Sequence, residues 1–166
     1  MTSRDDNYED LTECGLSVEL EEQLLRIQRE CVFMWTNSKG EAFGVIMSML
    51  PKDGKIWLTC AAARKRVPAL RRFPRASICV TSTGTKMGTG KTITYKGDCV
   101  VRDDRETKDW FYPEFSRHLQ GDTEAAKVFQ KFLDSPDRVI LEFTPDYRLG
   151  FDSELMWARS PEAAKN

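Results

Sequence analysis

Apolar and polar residues alternate along several short stretches of this chain, and such alternation predicts β-strands. Residues 37–40 and 51–54 have the composition of tight turns. The predicted strands are residues 31–36, 41–50, 55–60, 76–80, 91–102 and 138–143, with a further candidate at 147–151. Because two turns join the first three strands, we expect these strands to form an antiparallel meander.

Apolar residues at helical spacing predict three longer helices besides a short one near Pro68. The first spans residues 17–29, and Ser17 is a candidate N-cap. The second spans 107–120 and places four apolar side chains on one face: Trp110, Phe111, Phe115 and Leu119. The third spans 123–133 and is expected to bury Ala126, Val128, Phe129, Phe132 and Leu133. Six or seven strands with few helices predict a mainly β fold, a closed antiparallel barrel with helices outside it.

Length and composition favour one soluble domain of 166 residues, with a core at about 17–158 and flexible tails at 1–11 and 160–166. The polar, acidic start does not resemble a signal peptide, and no apolar run is long enough to span a membrane. Five cysteines without a CxxC pair predict buried thiols in a reducing cytoplasm. A net charge of −1 argues against bulk affinity for nucleic acid.

Positive charge is concentrated between the third and fourth predicted strands. Six of the twelve residues from Arg64 to Arg75 are basic, and Pro68 lies where a short helix would begin. This arrangement indicates a pocket for an anionic group, although a solvated helix face would account for it equally well. A protein that used these charges to bind nucleic acid would show steeply salt-dependent binding.

The remaining motifs offer little chemistry carried by the protein itself. The segment 88–92 (GTGKT) lacks the glycine spacing of a phosphate-binding loop, and a strand follows it instead of a helix. His118 has no acidic or cysteine partner at ligand spacing, and Asp103 and Asp104 fit a solvated turn. We therefore predict no catalytic side chain and no metal site, and an enzyme of this kind would take its reactivity from a cofactor.

Three segments resemble the pyridoxamine 5'-phosphate oxidase-like flavoproteins. Residues 56–80 (IWLTCAAARKRVPALRRFPRASICV) look like the family's strand, basic connector, helix and following strand. Residues 91–101 (KTITYKGDCVV) are similar to the next strand with its characteristic glycine, and residues 138–157 to the closing strands. The resemblance implies the FMN-binding split barrel, a six-stranded antiparallel Greek-key barrel that forms a homodimer with its cofactor sites at the interface.

The resemblance also implies which residues hold the cofactor. The phosphate would be bound by Arg66 with Arg64 or Lys65 as its companion, because arginine makes paired, charge-assisted contacts with phosphate. Further positions match strands or tails that approach the cofactor in this family: Val45, Met47, Ser48, Thr59, Lys91, Thr92 and Trp157.

The implied activity is hydride transfer to or from a small organic substrate by FMN or, alternatively, by an 8-hydroxy-5-deazaflavin coenzyme. The polyglutamyl tail of the deazaflavin would suit the extra positive charge of Arg71, Arg72 and Arg75. The residues that bind pyridoxal phosphate in the true oxidases are not evident, so vitamin B6 metabolism is not expected. A non-catalytic protein that stores or senses flavin or another ligand is the other hypothesis.

Overall fold

The computed structural model describes residues 11–159, in which one antiparallel sheet and five helices account for most of the chain. The strands are β1 (Glu30–Thr36), β2 (Ala42–Ser48), β3 (Leu50–Lys52), β4 (Lys55–Ala61), β5 (Arg75–Thr81), β6 (Lys91–Arg102) and β7 (Arg138–Asp152). The helices are α1 (Val18–Ile27), α2 (Arg66–Arg72), α3 (Arg105–Gln120), α4 (Glu124–Leu133) and α5 (Ser153–Ala158). The sheet order is β2-β1-β5-β6-β7-β4-β3, so the mainly β prediction is confirmed.

Seven strands are present instead of six, because the predicted strand 41–50 is interrupted at Met49. The part before Met49 pairs with β1, whereas residues 50–52 pair with β4. The predicted meander is confirmed for its first hairpin, in which β1 pairs with β2, but it is wrong for the third strand, since β4 has β3 and β7 as its neighbours and not β2. A two-residue turn joins β3 to β4; Asp53 and Gly54 both have positive φ, which suits the twist of a hairpin.

The chain divides into two compact units. The larger comprises residues 29–78 and 95–147, and its apolar core lies where α3 and α4 cover the sheet. The buried members of this core are Leu50, Phe111, Tyr112, Phe115, Leu133 and Ile140. Trp57 meets Trp110 edge to face at a centroid distance of 4.8 Å. The face predicted for α3 is therefore the one that packs on the sheet.

Two predictions for the helices need correction. Val128 and Phe132 on α4 are each 68% exposed, so only part of the apolar face predicted for that helix is buried. Helix α2 begins at Arg66, two residues before Pro68, which nevertheless lies in the first turn, where a missing N–H costs no helical hydrogen bond.

Gly97 lies where β6 and β7 approach closely within the larger unit. A Cβ atom at this position would be 2.1 Å from the backbone oxygen of Thr144 and 2.9 Å from the Cα of Pro145. Real Cβ contacts are never so short, so any other residue would push the two strands apart. This close approach explains why the predicted strand carries a glycine in its centre.

The smaller unit comprises residues 11–28, 79–94 and 148–159 of the described chain. Helix α1 carries the predicted N-cap, since Ser17 Oγ accepts a hydrogen bond from the amide of Leu20. Helix α5 was not predicted; it begins after Asp152, whose carboxylate accepts a hydrogen bond from the amide of Glu154. The predicted tails at 1–11 and 160–166 lie outside the described residues except for Leu11, which is exposed.

Candidate functional site

A cavity of about 340 Å³ in the larger unit brings several predicted site residues together. We call it the arginine cavity; three arginines, the ends of β2 and β4, the start of β7 and one side of α3 and α4 form its walls. Its lining residues are Ile46, Met47, Ser48, Thr59, Cys60, Ala61, Arg64, Arg66, Phe115, Phe129, Phe132, Leu133 and Arg138. No acidic residue is among them, so the side chains that line the cavity carry only positive charge.

The three arginines of the cavity differ in their partners from most other arginines of the chain. Most other arginines form ion pairs, as Arg71 does with Asp103 and Arg102 with Glu142. Within residues 11–159, no aspartate or glutamate pairs with Arg64, Arg66 or Arg138. Three guanidinium groups that share a cavity without a balancing carboxylate make it a candidate site for an anion.

Arg66 is the most constrained of the three. Its guanidinium lies over the indole of Trp35, 5.3 Å from the ring centroid, and its Nη1 is 3.0 Å from the sulfur of Met47. Its Nε is buried and has no hydrogen-bond partner in the structure. A buried donor without an acceptor is costly, so an anion that accepted a hydrogen bond from Nε would relieve the cost.

Backbone pairing between β4 and β7 brings Arg138 close to the other two arginines. Ala61 pairs with Arg138 across the two strands, and the amide of Ala62 donates to the carbonyl of Asp137 at 2.8 Å. The chain then turns, and the amide of Arg64 donates to the carbonyl of Ala61. The sequence did not reveal Arg138 as a site residue, because this pairing joins residues more than seventy positions apart.

Thr59 and Cys60 lie at the end of β4 beside the arginines. The Thr59 hydroxyl donates a hydrogen bond to the carbonyl of Val139 at 2.8 Å, which leaves its oxygen free to accept another. Burial raises the pKa of the Cys60 thiol and outweighs the opposite influence of Arg66, Arg138 and Arg64. Cys60 is therefore a neutral thiol at physiological pH and not an activated nucleophile.

Not every predicted cofactor residue lines the cavity. Val45 lies on β2 opposite Phe33, and Lys65 is the exposed N-cap residue of α2; neither is among the lining residues. In the smaller unit, Lys91 and Thr92 begin β6, and Trp157 lies half-exposed in α5.

Lys91 has carboxylate partners of its own. It is buried, and its ammonium lies 2.5 Å from Glu154 and 3.7 Å from Asp152. The hydrogen bond with Glu154 raises the pKa of Lys91 although burial opposes it, so the side chain is charged and links β6 to α5.

The groups considered as acids or bases have structural roles. Asp104 caps α3 by accepting a hydrogen bond from the amide of Thr107, and Asp103 pairs with Arg71. His118 lies near the end of α3, with Arg29 3.0 Å from its ring. Burial and the neighbouring arginine lower the pKa of His118 to about 4, so the ring is neutral at physiological pH.

An aromatic wall, which the sequence analysis did not predict, faces the cavity from α3 and α4. Phe115, Phe129 and Phe132 follow one another with centroid distances of 6.5 and 6.4 Å and nearly parallel planes. The Arg138 guanidinium lies 5.7 Å from the centroid of Phe132. Sequence reasoning placed Phe129 and Phe132 in the core, because periodicity cannot distinguish a core face from one that lines a cavity.

Comparison with solved structures decides the fold. A conserved hypothetical protein from Mycobacterium tuberculosis matches with a TM-score of 0.72 at 18% identity, over 87% of this chain and 90% of its own. A Listeria innocua protein named after pyridoxamine 5'-phosphate oxidase matches with a TM-score of 0.59 at 13% identity, over 78% and 94%. An F420 reductase matches with a TM-score of 0.59 at 15% identity, over 76% and 94%.

The chain has the split-barrel fold of the pyridoxamine 5'-phosphate oxidase-like proteins. No family model and no curated protein matches it, so the structural likeness carries this assignment alone. Two further observations concern residues 11–159 of this split barrel. No helix there has the length and apolar character needed to cross a membrane, and no three His, Cys, Asp or Glu side chains are grouped as metal ligands would be.

Proposed function

We propose that this split-barrel protein is a flavin- or deazaflavin-dependent oxidoreductase whose arginine cavity holds the cofactor phosphate. The observation that carries the proposal is that Arg64 and Arg66 line one cavity and pair with no carboxylate within residues 11–159. A phosphate dianion would balance the charge of these two arginines. Two proteins of similar structure support the same function. One is named after pyridoxamine 5'-phosphate oxidase, and the other is an F420 reductase.

The residues present fit a phosphate group. The buried Nε of Arg66 has no hydrogen-bond partner among residues 11–159, and Arg64 adds a second guanidinium from the start of the basic connector. The Ser48 hydroxyl lies in the same lining and can donate to a phosphate oxygen, whereas the Thr59 hydroxyl already donates to the carbonyl of Val139. Charge-assisted hydrogen bonds of this kind contribute roughly 1.5–3 kcal/mol each.

The cofactor, when bound, would supply the hydride chemistry that no side chain here provides. The protein would contribute binding, orientation and exclusion of water. His118 is neutral, Cys60 is a thiol, and Asp103 and Asp104 are engaged in local structure, so none of them is placed as an indispensable base. Any proton required would come from solvent or from a hydroxyl such as that of Ser48 or Tyr95.

FMN is our first choice of cofactor, and the deazaflavin coenzyme is the alternative. The neighbouring F420 reductase supports the alternative. The arginines expected to bind a polyglutamyl tail give the deazaflavin little support, because two of them already have carboxylate partners. Arg71 pairs with Asp103, and Arg75 pairs with Asp98 and Asp146. Arg72 is then the one of these three for which no carboxylate partner lies within residues 11–159.

We propose further that the protein acts as a homodimer. The family resemblance implies cofactor sites at a subunit interface, and β2 exposes apolar side chains that a partner would cover: Ile46 is 70% exposed and Phe43 47%. Sedimentation equilibrium with cofactor present should give twice the mass of the chain. A monomer at micromolar concentration would contradict this proposal.

A non-catalytic protein that stores or senses flavin is the second candidate. The observation that favours it is the absence of an acid–base pair in the described arginine cavity, whose lining contains no His, Asp or Glu. The two functions differ in turnover. An enzyme would reoxidise its reduced cofactor rapidly with one class of acceptor, whereas a storage protein would show no preference among acceptors.

The proposal is tested by titrating the purified protein separately with FMN and with the deazaflavin, followed by absorption and fluorescence. We expect saturable binding of at least one of them, weakened about tenfold or more by Arg66→Ala, since a phosphate would lose a charge-assisted partner. Arg117→Ala, which removes an arginine outside the cavity that pairs with Asp122, is the matched control and should bind as the wild type does. Failure of both cofactors to bind would overturn the proposal.

A further inference from the structure

The arginine cavity has two walls of different chemistry. On one wall, Arg64 and Arg66 follow β4, and Trp35 supports the Arg66 guanidinium. On the other wall, Phe129 and Phe132 present ring surface, and Phe132 supports Arg138. Arg66 and Arg138 therefore pack on different aromatic rings, and each lies on a different wall of the cavity.

The charge in the cavity exceeds what one phosphate balances. Three guanidinium groups carry three positive charges, whereas a phosphate monoester carries at most two negative charges near neutral pH. If Arg64 and Arg66 meet the phosphate, the positive charge of Arg138 remains without a partner. A second anionic group in the same cavity would balance it.

The aromatic wall indicates what carries this second anion. Phe132 is 68% exposed, so much of its ring is open to a ligand while the Arg138 guanidinium lies beside it. Aromatic rings attract other planar rings in offset or edge-to-face arrangements, and a guanidinium packed on a ring keeps N–H groups to donate to a carboxylate. A flat ring with a carboxylate on its edge satisfies both groups at once.

We infer that Phe129, Phe132 and Arg138 form a substrate subsite for a small planar aromatic carboxylate, an inference that rests on the function proposed above for this cavity. The ring would pack against Phe129 and Phe132, and the carboxylate would accept hydrogen bonds from Arg138. Arg138 is then a specificity-determining residue, distinct in role from the phosphate-binding pair Arg64 and Arg66.

The test is calorimetric titration of the cofactor-saturated protein with three probes of similar size: benzoate, benzyl alcohol and cyclohexanecarboxylate. We expect benzoate to bind at least about tenfold more tightly than either of the others, because benzyl alcohol lacks the charge and cyclohexanecarboxylate lacks the planar ring. Arg138→Gln should weaken benzoate binding about tenfold, and Phe132→Leu at least about threefold. Val128→Ala changes an equally exposed residue of α4 outside the cavity lining and should have no effect.

A parallel FMN titration separates this inference from the function on which it rests. Arg138→Gln should leave FMN affinity within about threefold of the wild type. If Arg138→Gln weakens FMN as much as it weakens benzoate, Arg138 belongs to the phosphate site, and the subsite is overturned while the proposed function stands. Equal benzoate affinity in wild type and Arg138→Gln, or equal affinity for benzoate and cyclohexanecarboxylate, also overturns the subsite. Failure of the wild type to bind either FMN or the deazaflavin would overturn the proposed function instead.

Discussion

The guanidinium of Arg66 lies 5.3 Å from the centroid of the Trp35 indole ring, and its buried Nε has no hydrogen-bond partner in the described part of the chain. The indole fixes the position of the guanidinium before any ligand arrives, at a gain of roughly 0.5–1 kcal/mol for a cation–π contact. A preorganised donor loses less conformational entropy on binding, so this pair suits recognition of an anion.

The contact makes Trp35 a reporter of the cavity. We expect inorganic phosphate to change the tryptophan fluorescence of the wild type, whereas chloride at matched ionic strength should not. Trp35→Phe keeps an aromatic ring under Arg66 and should abolish the signal while FMN affinity stays within about threefold. A phosphate signal that persists in Trp35→Phe would show that another tryptophan reports, and that Arg66 is not the site of binding.

Glu142 should make stability depend on pH. Burial raises its pKa, but hydrogen bonds from Lys55 and Arg102 outweigh burial and hold the pKa below its ordinary value of 4.5. A depressed carboxyl pKa contributes stability above that ordinary value, which is lost as pH falls through the folded-state pKa. Glu142→Gln should therefore reduce the free energy of unfolding at pH 7 by about 1–2 kcal/mol. We keep this figure low because Lys55 and Arg102 are both partly exposed, and solvent screens their charges.

Chemical unfolding of wild type and Glu142→Gln across pH 7 to 3 measures this effect. The difference in the free energy of unfolding between the two proteins should shrink below about pH 4.5. In that range the Glu142 carboxyl of the wild type becomes protonated and loses its charge. A difference that is constant over this range would mean that the ion pairs contribute nothing and that glutamine is disfavoured for another reason.

Gly97→Ala should be strongly destabilising, because the new methyl group would meet the Thr144 carbonyl oxygen at 2.1 Å. Overpacking in a tight site typically costs about 1–3 kcal/mol, and here the obstacle is backbone, which cannot rotate away. Gly15→Ala is the control, since nothing lies within 4 Å of its added Cβ. Thermal unfolding should show a clear fall in Tm for Gly97→Ala alone; equal values would contradict the close approach of β6 and β7.

No single acid, base or nucleophile should be indispensable for turnover. His118→Ala, Cys60→Ala, Asp103→Asn and Asp104→Asn should each leave the rate within about tenfold of the wild type, a barrier change of roughly 1.4 kcal/mol. Asparagine is chosen for Asp104 because it preserves the helix cap. The assay uses each reduced cofactor with a panel of quinones, enones and aromatic carboxylates. A variant that binds cofactor normally but loses a thousandfold in rate would show that the protein itself carries the chemistry.

The sequence predicted the fold more completely than the site, for physical reasons that particular residues illustrate. Local periodicity located β6 to the residue, because its alternation is long and regular, and the cap at Ser17 followed from local chemistry. The interruption at Met49 was missed, since the buried residues on either side continue one apolar run. Helix α5 was missed because its six residues are too few to show a period.

The candidate site was likewise predicted only where neighbouring residues of the sequence carry the information. Arg64, Arg66 and Thr59 were predicted because they lie within one continuous motif, and all three line one cavity in the structure. Arg138 and Phe132 reach this cavity from β7 and α4, through strand register and helix packing that a single sequence does not encode locally.

The central claim, that Arg66 binds the phosphate of a flavin-type cofactor, is tested most directly by comparing FMN with riboflavin, which lacks only the phosphate. Binding of both should be measured for wild type and for Arg66→Ala under one set of conditions. We predict that the wild type prefers FMN by about ten- to a hundredfold and that Arg66→Ala loses at least about tenfold of this preference, because only FMN has the group that Arg66 contacts. An unchanged preference in Arg66→Ala, or equal wild-type affinity for FMN and riboflavin, would contradict the claim.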